Sequence, residues 1–250
     1  MLNQVLPHGE IEKVFENIWF VQGQVTLPML LPIKISKSMT IIRNPEDNSL
    51  TLINAMPLDD AGLAALTGLG EIKNTLRVGG FHGRDDLFYR EKFGAKVFAL
   101  KGHVYSKSLD SSNSGEGYMQ ADVWLDETSP LPVPDASLKI LRSSTPPEAI
   151  LCIHQQGGIL VTADALHHVP APNQYFNGLA KVALMFMGFF RPYNVGPGWA
   201  RAAKPSLAEV RSILELEFAH VLPGHGSQVI GDAKEKYRPI LESRIKSCRA

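Results

Sequence analysis

The spacing of apolar residues predicts strands and helices that alternate after an opening made of strands alone. Residues 14–25 form an extended run, and two further strands flank the turn residues 44–48, which predicts a hairpin. Residues 59–69 place three leucines on one helical face behind two aspartates, as a helix N-terminus prefers. The chain therefore begins with a sheet and continues into mixed structure.

The rest of the chain continues this alternation. The remaining predicted elements are strand 75–78, helix 85–93 closed by Gly94, strand 96–100, a loop over Ser106–Gly117, a hairpin of strands 149–154 and 159–162, a helix capped by Ser206, strand 219–222, and a helix from Asp232 that Pro239 kinks. This order predicts helices packed outside two sheets. Since no long linker interrupts it, we expect a single domain over residues 1–250.

The most apolar segment, residues 178–190, is too short to cross about 30 Å of hydrocarbon as a helix. We therefore expect no membrane span, and we predict a helix that is buried on most sides. Two alternatives stay open, because its Met and Phe side chains also suit the wall of an apolar substrate pocket or a homodimer contact.

Composition narrows the classes of function. Lys plus Arg and Asp plus Glu both number 25, so the net charge is zero and gives no electrostatic case for nucleic acid or an anionic membrane surface. Cys152 and Cys248 lie far apart, which argues against a disulfide framework. The first residues lack the pattern of a secretion signal, so we expect a cytoplasmic protein that acts on a small molecule.

Three separated loops carry the candidate chemistry, and each follows an apolar run. They are His82-Gly83-Arg84-Asp85-Asp86, Thr162-Ala163-Asp164-Ala165 and Pro223-Gly224-His225-Gly226. Together they offer two imidazoles and several carboxylates. Such donors, brought from separate loops to one edge of a sheet, predict a metal site.

In this order the three loops resemble those of the metallo-β-lactamase fold superfamily, and the resemblance extends from about Val14 to the C-terminal helix. It implies an α/β (α+β) fold built as a four-layer αββα sandwich. The family's H-x-H-x-D-H loop corresponds to residues 82–87, its bridging aspartate to Asp164, and its last histidine to His225. Three of the family's histidines are replaced, by Arg84, Leu87 and Ser144.

The resemblance therefore implies a reduced site for at most one metal ion. The implied ligands are His82, Asp86, Asp164 and His225, and the further candidates are Asp85 and His168. Imidazole and carboxylate ligands suit zinc, or alternatively iron or manganese. The first hypothesis is a hydrolase of an ester, thioester, lactone or related bond, in which Asp86 accepts a proton and Arg84 stabilises negative charge.

Arg84 also supports two alternatives that need no metal, because a guanidinium cannot donate a lone pair to an ion. Placed between Asp86 and Asp164, it would replace the cation and leave a cleft that binds a ligand or partner without catalysis. It would otherwise act as the electrophile of a metal-free enzyme. The sequence leaves these three hypotheses open.

Overall fold

The computed structural model describes residues 4–27, 32–105 and 117–243. In these ranges the strands are β1 Glu12–Phe15, β2 Ile18–Leu27, β3 Ile33–Arg43, β4 Ser49–Ile53, β5 Glu71–Arg77, β6 Lys96–Leu100, β7 Val123–Leu125, β8 Ala136–Leu141, β9 Glu148–Ile153, β10 Ile159–Val161, β11 His167–Val169, β12 Arg191–Asn194 and β13 His220–Leu222. The helices are α1 Asp60–Leu69, α2 Asp86–Phe93, α3 Gly178–Phe186, α4 Pro197–Ala202, α5 Leu207–Arg211 and α6 Ala233–Ser243, with a 3-10 helix over Ser212–Glu215. Residues 106–116 of the predicted loop, and Cys248, lie outside the described ranges.

Two main sheets form from these strands. The larger one runs in the order β1 to β7 and the smaller one in the order β13-β10-β9-β8, while β11 pairs with β12 beside them. The larger sheet is antiparallel up to β4 and parallel from β4 to β7. In the smaller sheet β10 runs parallel to β13. The chain thus delivers the C-terminal ends of β5, β10 and β13 to its functional loops.

The inner core lies between the two sheets because alternate strand residues point to opposite faces. In β2, Ile18 and Phe20 join this core, which also contains Leu151 of β9 and Val161 of β10. Their neighbours Trp19 and Val21 point to the other face, where helix α1 packs. The period of two along β2 therefore separates an inner layer from an outer layer.

Helices cover both outer faces. Leu66 of α1 and Tyr89 of α2 pack on the larger sheet, while Trp199 of α4, Val210 of α5 and Tyr237 of α6 pack on the smaller one. The predicted αββα sandwich with helices outside two sheets is therefore confirmed.

Several predicted boundaries are also confirmed. The strands on either side of residues 44–48 pair as a hairpin, Asp59 caps α1 with its side chain, and Gly94 ends α2 in the left-handed conformation. Ser206 caps α5 by accepting a hydrogen bond from the Glu209 N–H. Pro239 lies inside α6 as expected.

Two local predictions were wrong. The extended run 14–25 is two paired strands, because Asn17 adopts a φ of 60° and turns the chain between them. The apolar helix ends at Phe186 instead of residue 190, and only Ala180 and Leu184 are buried in it. No helix in the described ranges is long and apolar enough to span a membrane.

Candidate metal centre

Three loops at the same edge of the sandwich bring His82, Asp164 and His225 together. His82 follows β5, Asp164 follows β10 and His225 follows β13. The loops touch closely: a Cβ atom at Gly224 would lie 2.7 Å from the Ala163 carbonyl oxygen and 3.0 Å from His82 Cε1. A residue without a side chain is therefore needed at position 224 for the last two loops to meet at His82.

The donor atoms of these three residues converge on one point. His82 Nε2 lies 3.3 Å from Asp164 Oδ2, and His225 Nε2 lies 3.2 Å from Asp164 Oδ1. One candidate ligand atom from each residue lies within 4.8 Å of the others. Two imidazoles and one carboxylate with an open side match the three-ligand pattern of catalytic zinc sites.

The tautomer of His225 supports a cation at this point. Its Nδ1 lies 2.6 Å from the Ser36 carbonyl oxygen, which can only accept, so Nδ1 carries a hydrogen. In the neutral ring, Nε2 then directs its lone pair at the Asp164 carboxylate. Two facing lone pairs repel each other unless a proton or a metal ion lies between them. Metal-binding histidines typically donate their other ring N–H to a carbonyl oxygen in this way.

The protonation states also suit metal binding. Burial lowers the pKa of His82, and this outweighs the opposing effect of Asp164. Burial alone would raise the pKa of Asp164, but the two imidazoles more than offset this and hold it well below its usual range. The lowered pKa values favour a neutral His82 ring and an ionised Asp164 carboxylate, which are the forms of these two groups that bind metals.

Glu148, the first residue of β9, holds the Asp164 loop from below. Its Oε1 accepts hydrogen bonds from the backbone N–H groups of Asp164, at 2.8 Å, and Ala165. Its other oxygen is buried and has no partner in the described ranges. Burial, reinforced by the nearby charge of Asp164, raises the pKa of Glu148 well above its usual value.

The structure does not bring Asp86 into this group. Its Oδ2 accepts a 2.8 Å hydrogen bond from the Tyr105 hydroxyl, and the fully buried Arg77 lies nearby. Burial raises the pKa of Asp86 to about 6, against the opposing effects of Tyr105 and Arg77. Asp86 is also absent from the lining of the adjacent cavity. In this arrangement it anchors the start of α2.

Arg84 and Asp85 lie on the cavity side of the same loop. Arg84 Nη1 donates to the Thr26 carbonyl oxygen at 3.1 Å, and Nε lies 4.0 Å from Asp85 Oδ1. Among the described residues, Arg84 forms no ion pair with Asp86 or Asp164. The arrangement expected for the metal-free alternative, with Arg84 between those two aspartates, is therefore not the one observed.

Asp85 pairs instead with a lysine that sequence reasoning missed. Lys37 Nζ donates to Asp85 Oδ2 at 2.7 Å and to the Ala55 carbonyl oxygen at 2.6 Å, and both side chains are buried. Asp85 makes no capping hydrogen bond with α2, although it stands at the cap position. Lys37 and Asp85 both line the cavity beside the metal-ligand candidates.

His168, a further ligand candidate, lies outside the group of converging donors, and its neighbour His167 is the more buried of the two. His168 is half-buried, stacks on Tyr193 at 4.6 Å and accepts the Tyr193 N–H with Nδ1. His167 is fully buried, packs on Phe189, and has no hydrogen-bond partner among the described residues for either ring nitrogen. Burial and the charge of His225 lower the pKa of His167 to about 3. His168 is not among the converging donors.

A cavity of about 240 Å³ opens beside His82, Asp164 and His225. Its apolar wall comes from three parts of the chain: the antiparallel strands β2 and β3, the loop after β5, and the segment around α3 and α4. The wall residues are Val25, Leu27, Ile35, Phe81, Leu184, Met187, Phe189 and Trp199. Lys37, Arg84 and Asp85 supply its charged corner. The apolar segment 178–190, for which a pocket wall was one of the open alternatives, contributes Leu184, Met187 and Phe189 to this wall.

The sequence contains a signal that could have identified Lys37 and Glu148 as functional residues. Each is a charged residue in a strand that is mostly buried, Lys37 in the middle of β3 and Glu148 at the start of β9. A charge is seldom buried without a partner. That signal indicates a buried ion pair or capped loop, although it does not identify the partner.

No protein-family model and no curated protein matches the sequence. Solved structures do match it over nearly its whole length. The metallo-β-lactamase FIM-1 from Pseudomonas aeruginosa in its mono-zinc form has a TM-score of 0.61 and 12% identity, and the match covers 96% of this chain and 97% of that one. VMB-1 has a TM-score of 0.62 and 13% identity, and the match covers 97% of this chain and 100% of that one. A metallo-β-lactamase from Hirschia baltica has a TM-score of 0.56 and 14% identity, and the match covers 94% of this chain and 98% of that one.

The chain therefore has the metallo-β-lactamase fold. At these identities the likeness is one of architecture, so the reaction has to be argued from the residues of the site.

Proposed function

We propose that this protein is a hydrolase that uses one divalent metal ion held by His82, Asp164 and His225. The observation that carries the proposal is the His225 ring, whose Nδ1 is committed to Ser36 while Nε2 faces Asp164 Oδ1 at 3.2 Å. The chemistry of this donor set suits zinc, with iron or manganese as alternatives. When bound, such an ion supplies Lewis acidity and activates water at neutral pH.

The charged corner of the cavity has a defined part in this proposal. Lys37 uses two of its three N–H donors on Asp85 and Ala55, which leaves one for the cavity that it lines. Arg84 adds a second fixed positive charge on the same wall. Both groups are placed to stabilise negative charge that develops on a carbonyl oxygen, or to bind an acidic group of the substrate.

The apolar wall defines the substrate class. Leu184, Met187, Phe189 and Trp199 surround space for an aliphatic or aromatic body and exclude water from it. We therefore propose that the substrate is a small ester, thioester, lactone or related compound with an apolar acyl part. The cytoplasmic location, the single-domain organisation and the homodimer stay predictions.

Elemental analysis tests the proposal. The protein would be purified without chelators or a metal-affinity tag, alongside His225→Ala and the control His154→Ala at an exposed histidine outside the site. We expect about one equivalent of metal in the parent and the control, and a loss of most of it in His225→Ala. Hydrolysis of aryl esters with short and long acyl chains would then follow the metal content.

A different result would favour the metal-free alternative. If the metal content stays far below one equivalent, and added zinc, iron or manganese does not raise it, the proposal is wrong. In that case His225 is held by a shared proton, and the cavity is a binding site without hydrolytic chemistry.

A further inference from the structure

Helix α3 exposes an apolar face to solvent beside the cavity. Four large apolar side chains of this nine-residue helix are solvent-exposed, and Phe186 is the most exposed of them, at 83%. The four are Leu179, Val182, Met185 and Phe186. A contiguous exposed apolar face on a protein surface usually marks a binding surface. We call these four residues the α3 face.

Basic side chains lie on α3 and just beyond it: Lys181 is exposed within the helix, and the Arg191 guanidinium lies beside Gly188, which follows the helix end. The segment 165–208, which contains α3, has no Asp or Glu, although the whole chain is balanced at 25 basic and 25 acidic residues. Lys181, Arg191 and Arg201 of this segment are exposed. In the described part of the chain none of the three forms an ion pair. The segment that carries the α3 face is therefore basic, although the whole chain has a net charge of zero.

Helix α3 is fixed in place by its buried side. Asn177 accepts the N–H of Ala180 at the helix start and donates to the Pro32 carbonyl oxygen before β3. Ala180 and Leu184 pack against Val25 and Ile35 of the larger sheet. The exposed residues are therefore held outward by a rigid element and are not a frayed end of the chain.

We propose that the α3 face docks on the surface of a membrane that contains anionic phospholipids. Leu179, Val182 and Phe186 would lie among the acyl chains near the headgroups, and the surrounding basic side chains would bind lipid phosphates. With nine residues, α3 is too short to cross the hydrocarbon layer, so it would lie on the membrane surface.

The charge pattern disfavours a second copy of the chain as the occupant. A twofold contact centred on α3 brings Lys181 and its copy onto one surface, and the segment 165–208 supplies no carboxylate to neutralise them. An anionic lipid surface supplies that negative charge. Docking of the α3 face does not require a metal ion in the site.

The α3 face adjoins the cavity, so docking would bring the cavity close to the membrane. Leu184 of α3, and Met187 directly after it, line the cavity, while Phe186 points to solvent. A docked α3 would therefore place the apolar wall of the cavity next to the lipid phase. Substrates that partition into membranes could enter the cavity without crossing water.

Vesicle co-sedimentation tests this proposal with the full chain. The probes are vesicles of phosphatidylcholine alone and vesicles of phosphatidylcholine with phosphatidylglycerol. We expect binding to the anionic vesicles that weakens with added salt, and about tenfold weaker binding to the neutral ones. Phe186→Ser combined with Val182→Ser, and separately Lys181→Glu, should each reduce binding to anionic vesicles about tenfold or more.

Matched controls distinguish vesicle binding through the α3 face from nonspecific adsorption. Ile230→Ser removes an exposed apolar side chain elsewhere, and Lys92→Glu reverses an exposed charge on α2. Both should bind vesicles like the parent chain. Circular dichroism of each variant confirms that it is folded, since the substituted side chains are exposed.

Two results would overturn the proposal. One is the absence of binding to anionic vesicles at low salt, or binding that the α3 variants leave unchanged. The other is a dimer in light scattering that Phe186→Ser with Val182→Ser converts to a monomer, because the α3 face would then be an interface between two copies.

Discussion

The carboxyl group of Glu148 positions the backbone of Asp164. One oxygen accepts the Asp164 N–H at 2.8 Å and the Ala165 N–H beside it, from the start of a strand that lies under the loop. Asp164 in turn lies between the two imidazoles of the candidate metal centre. The geometry of the site therefore depends on a residue that does not itself face the cavity.

We predict that Glu148→Ala weakens both folding and metal binding, whereas Glu148→Gln is close to the parent. The alanine leaves two buried N–H groups without an acceptor, at a cost of about 1–3 kcal/mol each. The glutamine keeps an amide oxygen at the accepting position. Urea denaturation and calorimetric metal titration measure the two effects. If Glu148→Gln loses as much stability and metal affinity as Glu148→Ala, Glu148 contributes through its charge and not through its hydrogen bonds.

The Lys37–Asp85 pair gives a second prediction. Because both side chains are buried, Lys37→Met leaves the Asp85 carboxylate without its partner and should cost about 3–5 kcal/mol of unfolding free energy. The double variant Lys37→Met with Asp85→Asn should recover part of this loss, since the unpaired charge is gone. Chemical denaturation of the two single variants and the double variant measures the coupling.

The control for this cycle is the exposed pair of Lys101 and Asp126. Its coupling should be about 1 kcal/mol or less, because solvent screens the charges. If the buried pair couples no more strongly than this, Lys37 is not paired with Asp85 in solution.

Arg84 should matter for ligands and not for the metal. Its guanidinium contacts the Thr26 carbonyl oxygen and approaches Asp85, but not Asp164. We therefore predict that Arg84→Ala keeps the metal content of the parent chain and changes stability by about 1 kcal/mol or less. Its KM for an ester with a free carboxylate should rise about tenfold, with little change for a neutral ester. Loss of metal from this variant would contradict the prediction and show that Arg84 is needed for metal binding.

Sequence patterns predicted the layers of this fold well. The period of two in β2 and the helical spacing in α1 follow from which face each residue buries, so both are written in the order of apolar and polar residues. The ligand candidates His82, Asp164 and His225 were predicted because each follows a strand. The resemblance then placed the three on one edge of the sandwich.

The partners of the buried charges could not be predicted in this way. Lys37 and Asp85 are 48 positions apart, and which of Asp85 and Asp86 faces the cavity depends on the backbone at Gly83, where φ is 84°. The same holds for α3. Apart from Lys181, its sequence is apolar on all sides, and the packing of Leu184 against the sheet shows which side is left exposed.

A buried histidine away from the metal centre gives the last prediction. Burial lowers the pKa of His103 to about 3 from an ordinary value of 6.5, and the charge of Arg77 and the nearby His82 add to this effect. Its Nε2 donates to the Pro147 carbonyl oxygen, which raises the pKa but does not offset burial, so the folded chain keeps the neutral ring down to about pH 3. Below pH 6.5 the unfolded chain binds a proton that the folded chain does not bind. The stability that this ring contributes is therefore present above pH 6.5 and falls as the pH drops towards 3.

We expect His103→Gln to remove up to about 1.4 kcal/mol per pH unit from the slope of unfolding free energy against pH in this window. Denaturation of both proteins in a pH series measures the slopes, and their difference at about pH 8 reports the change in packing alone. Identical slopes for the parent and the variant would mean that His103 is protonated in the folded chain.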